Sequence, residues 1–118
     1  MKLGVQYYPE QWPKQRWAVD AAMMQRAGVT LVRMGEFAWS AYEPREGSID
    51  FSWMEEAIEL LARHGIRTIL CTCSRTPPPW VYRNYPGILS CDQRGVPGFT
   101  DGRYQVGLAH EDFVEISR

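Results

Sequence analysis

No apolar run in this sequence approaches the roughly 20 residues that a membrane-spanning helix needs, and nothing like a signal region opens it. Met1-Lys2 passes almost directly into Leu3-Gly-Val-Gln-Tyr7, without an apolar stretch or a small-residue cleavage site. A cytoplasmic location is therefore expected. Charge of one sign is scarce as well: 13 Lys and Arg oppose 14 Asp and Glu, for a formal net charge of -1, and the basic residues form no cluster. The electrostatic footprint of a nucleic acid or an anionic membrane is missing, so neither is expected as a partner. Cysteine is rare too. Cys71, Cys73 and Cys91 are an odd set without framework spacing. Cys71 and Cys73 share one face of a predicted strand and read as small packing residues. The two histidines, His64 and His110, have no companions at zinc-like spacing and none suited to acid–base work. No metal and no cofactor are expected.

What is present is apolar and aromatic. Of the 118 residues, 45% are hydrophobic and 13% aromatic, enough for one ordinary domain with a core. Leu3 to Tyr7 read as a first strand, followed by the aromatic loop Tyr8-Pro-Glu-Gln-Trp-Pro13. Pro13 suits a first helical position. Lys14 to Ala27 then places Trp17, Ala21 and Met24 on one helical stripe, with Gly28 as the C′ residue. A second strand runs from Val29 to Met34, and Ser40 to Phe51 read as a loop. Ser52-Trp-Met-Glu55 matches a capping box. The helix it opens carries Met54, Ala57, Ile58 and Leu61 on one face and ends at Gly65. Ile66 to Thr72 is β-branched and apolar, the pattern of a parallel strand buried on both faces. Three prolines, Pro77 to Pro79, keep the next backbone extended, and an aromatic-rich stretch continues to about Ala109. His110 to Arg118 look like the first turns of a helix carrying Phe113, Val114 and Ile116.

The order β-α-β-α-β and the start of another helix, with strands recurring every roughly 30 to 40 residues, predict repeated βα units. The fold class expected is α/β, about three of the eight units of a TIM (β/α)8 barrel. Residues 1–118 then read as an incomplete N-terminal segment of such a domain. In parallel α/β folds the chemistry gathers where strands end and loops begin. Leu31-Val-Arg-Met-Gly-Glu-Phe-Ala-Trp39 is the stretch that matters most on that view. An apolar strand gives way at Gly35 to a carboxylate, two aromatics and the hydroxyl of Ser40.

Several motifs resemble the N-terminal part of the β-galactosidases of glycoside hydrolase family 42. They are Gly4-Val-Gln-Tyr-Tyr-Pro-Glu-Gln-Trp12, Val32-Arg-Met-Gly-Glu-Phe-Ala-Trp39, Glu43-Pro44, Glu46-Gly47, Asp50-Phe-Ser-Trp53 and Pro77-Pro-Pro-Trp80. Their order and spacing agree from Leu3 to about Phe99. The resemblance implies a TIM barrel, retaining hydrolysis of terminal β-D-galactosides in oligosaccharides, and a cytoplasmic enzyme of carbohydrate metabolism. It leaves a homo-oligomer open for the full-length protein. It also implies that Arg103 corresponds to a sugar-contacting arginine. Val106 stands where the family carries a cysteine, one that some relatives use in a structural zinc site. The family's acid/base glutamate, preceded by Asn, ends the fourth strand and its nucleophile ends the seventh; neither segment is in this chain, so no catalytic residue is assigned.

The candidate sugar-binding residues are Arg103, Glu36, Trp39 and Trp80. Glu36 can accept a sugar hydroxyl or pair with Arg33 or Arg75. Trp39 and Trp80 can stack on a pyranose or serve as packing wedges. Arg33 is read as structural support of the site, and Trp12, Trp17 and Trp53 as packing. Two functions from different classes follow: the front of a β-galactosidase, inactive by itself, or a stand-alone non-catalytic α/β module that binds carbohydrate or assembles with partners.

Overall fold

Three strands, β1 (Leu3–Gln6), β2 (Val29–Met34) and β3 (Arg67–Leu70), pair in parallel in the order β1-β2-β3. The computed structural model describes residues 2–74, 76–98 and 106–117. Between and after the strands come α1 (Lys14–Arg26), α2 (Trp39–Tyr42), α3 (Ser52–Arg63), α4 (Pro79–Asn84) and α5 (Glu111–Ile116), with short 3-10 turns at Pro9–Gln11 and Pro86–Ile88. The chain divides into two units. One comprises Met1–Gly35 with Asp50–Cys71, the other Glu36–Ile49 with Thr72–Arg118.

The first unit is the sheet with α1 and α3. α1 packs on β2 and α3, and α3 on β3. The expected stripes are the buried ones: Trp17 and Ala21 on α1, and Met54, Ala57 and Leu61 on α3. Met24 and Ile58 are half-buried. Both helices end against a glycine in the left-handed region, Gly28 (φ 78°) and Gly65 (φ 73°), where a Cβ would crowd the following carbonyl. Register aligns Gln6, Arg33 and Ile69 in one row. Because side chains alternate along a strand, Arg33 lies on the face opposite Val32 and Met34, both fully buried.

Three local expectations for this unit change. Pro13 is the N-cap of α1, one position earlier than expected. Its backbone is extended (ψ 142°), and its carbonyl accepts the Arg16 N–H at 2.8 Å. The capping box at Ser52 does not form. Instead the Asp50 carboxylate accepts the Ser52 N–H at 2.9 Å, and the Ser52 hydroxyl first, with that N–H behind it, holds the Asp50 pKa below its ordinary range. An aspartate two residues upstream reaches that N–H with less chain to order than a box closed by Glu55. Third, β3 is shorter than Ile66 to Thr72, and it is not buried on both faces: Ile69 is 49% and Leu70 54% exposed. It lies at the edge of the sheet, paired with β2, and no further described strand covers it.

The second unit has its own core. Trp39, Trp80, Val81, Ile88, Val106 and Phe113 form one buried cluster, with Cys73, Tyr82, Tyr85 and Ile116 packed against it. Part of the loop expected after Trp39 is helical. Ala41 and Tyr42 donate to the Ala38 carbonyl and Glu43 to that of Trp39, making the single turn α2. The proline run departs from the expected extended backbone at its last member, which is helical. Pro78 is extended (ψ 159°), and Pro79 opens α4 at a position where the missing N–H costs nothing. α5 turns Phe113 inward and leaves Val114 exposed.

Candidate functional site

The loop after β1 is tied to α1. The indole of Trp17 donates to the Pro9 carbonyl at 3.0 Å, and the Tyr7 hydroxyl donates to Asp20 Oδ2 at 3.3 Å. Arg16 donates its Nε–H to the other Asp20 oxygen at 2.8 Å. Burial, with the Asp20 charge and hydrogen bond behind it, pushes the Tyr7 hydroxyl far above its ordinary range. Beside this network stands Glu10. Both its carboxyl oxygens are shielded from water and have no hydrogen-bond partner among the described residues. Burial raises its pKa above the ordinary 4.5, opposed in part by its own backbone N–H. The folded chain thus holds this proton to higher pH than the unfolded chain. Its contribution to stability is complete below pH 4.5 and is lost as pH rises through the folded value. Glu10→Gln is expected to be more stable than the parent at pH 7, with the gap closing below pH 4.5. Urea midpoints across that pH range measure it, and a gap that does not change with pH would exclude the explanation.

The second unit brings three of the sequence candidates together. Glu36 is half-buried, and its carbonyl accepts the Thr76 hydroxyl at 3.0 Å. Trp39 and Trp80 meet edge to face, ring centroids 6.3 Å apart at 87°, and Phe113 packs on Trp39 at 6.2 Å. Each indole is only 6% exposed. Their N–H groups converge on Glu43: Trp39 donates to its Oε2 at 2.8 Å, and Trp80 donates to its backbone carbonyl at 2.9 Å. The other carboxyl oxygen takes the Gly47 N–H at 2.7 Å. Glu43 is 8% exposed, a buried acidic residue to which the sequence, beyond the Glu43-Pro44 motif, assigns no site role. The signal was there, since Trp39 and Glu43 stand four apart, the spacing at which side chains on one helical turn meet.

An open cleft of about 380 Å³ lies alongside, lined by Trp80, Tyr85 and Ile116 with the acidic residues Glu43, Glu46, Asp112 and Glu115. Glu46 accepts the Tyr85 hydroxyl at 2.5 Å and the Asn84 amide at 2.7 Å. These two bonds hold its pKa below the ordinary carboxylate range.

The other candidates fall elsewhere. Arg33 belongs to the first unit, in the middle strand of the sheet. Arg103 lies outside the described residues, as does Arg75. Cys71 and Cys73 follow the end of β3 instead of lying within it; both are half-buried, and Cys91 is exposed. Among the described residues, no group of three or more His, Cys, Asp or Glu is placed to hold a metal ion. No helix of the described residues is long and apolar enough to cross a membrane.

The profile of glycoside hydrolase family 42, described as β-galactosidase, matches residues 6–118. The chain is 50% identical over 93 residues to a β-galactosidase of Thermus thermophilus, covering 79% of this chain and 14% of that protein. It is 44% identical over 97 residues to the β-galactosidase BgaH of Haloferax lucentense, covering 82% of this chain and 15% of that one. Among solved structures, the β-galactosidase of the Antarctic haloarchaeon Halorubrum lacusprofundi superposes with a TM-score of 0.94 at 40% identity. That match covers 99% of this chain and 18% of the other. The β-galactosidase of the psychrophilic Marinomonas ef1 gives 0.92 at 40% identity, with the same coverage. The chain thus spans about a seventh of the length of these curated relatives.

Proposed function

The chain belongs to the glycoside hydrolase family 42 β-galactosidases, and on that premise we propose that it is the front of a retaining β-galactosidase acting on terminal β-D-galactosides of oligosaccharides. The observation that carries this reading is the family match across residues 6–118. Residues 1–118 are, on this view, the N-terminal segment of the catalytic barrel, and β3 is exposed because the next strand of the barrel belongs beside it.

A retaining glycosidase needs two carboxyl groups about 5 to 5.5 Å apart, one nucleophilic and one that donates a proton. The donor must be held protonated by its surroundings while its partner stays ionised. The family pattern puts these glutamates after the fourth and seventh strands, whereas this chain supplies the first three. Its share of the work is binding. Glu36, Trp39, Trp80 and Arg103 contribute to the wall that receives the galactosyl ring, and Arg33 is assigned a structural role. The indole N–H groups of Trp39 and Trp80 are already engaged with Glu43, so neither N–H is offered to a sugar. The assembled enzyme is placed in the cytoplasm, as a monomer or homo-oligomer.

The test is hydrolysis of a chromogenic β-galactoside by this chain and by its extended reading frame, side by side. Turnover is expected only in the extended protein. Turnover by the 118 residues alone would overturn the assignment of both catalytic carboxylates to later strands.

A further inference from the structure

The loop from Glu36 to Glu43 is tied down at both ends. At its start, the Thr76 hydroxyl donates to the Glu36 carbonyl at 3.0 Å. At its end, the Glu43 carbonyl receives the Trp80 indole N–H at 2.9 Å. Both anchors come from the segment that follows β3, in the same unit. Between these ties the Glu43 side chain does a second job, receiving Trp39 Nε1–H on one oxygen and the Gly47 N–H on the other. One residue therefore orients both tryptophans and closes the turn behind them.

We propose that Glu43 is a positioning residue for galactoside binding, fixing the Glu36–Trp39 loop in the geometry that receives the sugar. This rests on the reading of the chain as part of a β-galactosidase barrel and adds a residue to which that reading assigns no role. The physical case lies in the choice of a carboxylate. Burying an acidic group is costly unless its oxygens are satisfied, and here two N–H donors at 2.7 and 2.8 Å satisfy one oxygen each. A glutamine could accept one of those N–H groups, but it would turn its own NH2 against the other. Apolar packing alone would hold the indoles in a core without aiming them. A carboxylate accepting from fixed directions sets the ring of Trp39, and through it the backbone from Glu36 onward.

The experiment uses the extended reading frame and compares the parent with Glu43→Gln, Thr76→Val and the double variant. Steady-state kinetics on a chromogenic β-galactoside, inhibition by free galactose, near-ultraviolet circular dichroism and melting are all recorded. Glu43→Gln is expected to raise KM and the galactose inhibition constant by about tenfold while kcat changes little, the pattern of lost uniform binding. Thr76→Val is expected to act in the same direction. The double variant should fall short of the product of the two, because both residues hold one loop. A folded Glu43→Gln protein with the parent's KM and galactose inhibition would overturn the inference and leave the family reading standing. An inactive parent would overturn that reading and the inference with it. If Glu43→Gln fails to fold, Thr76→Val decides: an unchanged KM there overturns the proposal.

Discussion

Trp39→Ala is expected to lower the stability of the second unit by about 3 to 5 kcal/mol, the usual cost of truncating a buried tryptophan. Trp39 is 6% exposed and stands between Trp80 and Phe113 in the core cluster. Two losses combine. The first is the packed ring, with its edge-to-face contact to Trp80. The second is the N–H that satisfies Glu43 Oε2 at 2.8 Å, and leaving a buried acceptor without its donor costs about 1 to 3 kcal/mol. Trp39→Phe separates the two, since it keeps most of the ring and removes the N–H. It is expected to lose about 1 to 3 kcal/mol. Urea unfolding followed by circular dichroism measures both. A loss below about 1 kcal/mol for the alanine variant would mean that the cluster is not packed as described.

Met34→Ala is expected to cost about 2 to 5 kcal/mol in the first unit. Met34 is fully buried at the end of β2, the middle strand, and hydrogen bonds run along both sides of that strand. Its carbonyl also receives the Cys71 N–H at 2.9 Å, so the backbone at this point has little room to close a cavity. Sites that cannot collapse pay the upper part of the range. Met34→Leu, which nearly conserves volume, is expected to cost less than about 1.5 kcal/mol. The comparison of midpoints between the two variants is the measurement. Equal losses would show that side-chain chemistry, and not volume, matters there.

The strands and the two longer helices were legible because their signals are local. Val29 to Met34 has in the structure the bounds the sequence predicts, since an apolar run bounded by Gly28 and Gly35 leaves little choice. The burial of Trp17, Ala21, Met54, Ala57 and Leu61 followed from spacing around a helix. The misses were also physical. At the start of α3 two carboxylates competed to hold the first turn, and the nearer one, Asp50, reached the N–H of Ser52. α2 is not legible in the sequence because a single turn gives too short a pattern for helical periodicity to show.

The sequence by itself determined the order of the three strands with α1 and α3, the βα repeat and the family, because turn glycines, hydrophobic period and motif spacing are properties of neighbours along the chain. Only the tertiary structure decided which polar groups are buried and what satisfies them. On paper Glu43 is one half of a Glu-Pro motif with no partner in view. It becomes a hub because Trp80, 37 residues away, brings its indole N–H to the Glu43 carbonyl. The same holds for Ile69 and Leu70, apolar on paper and exposed in the structure because nothing among the described residues covers that edge. Burial depends on partners distant in sequence, and composition does not record which of them arrive.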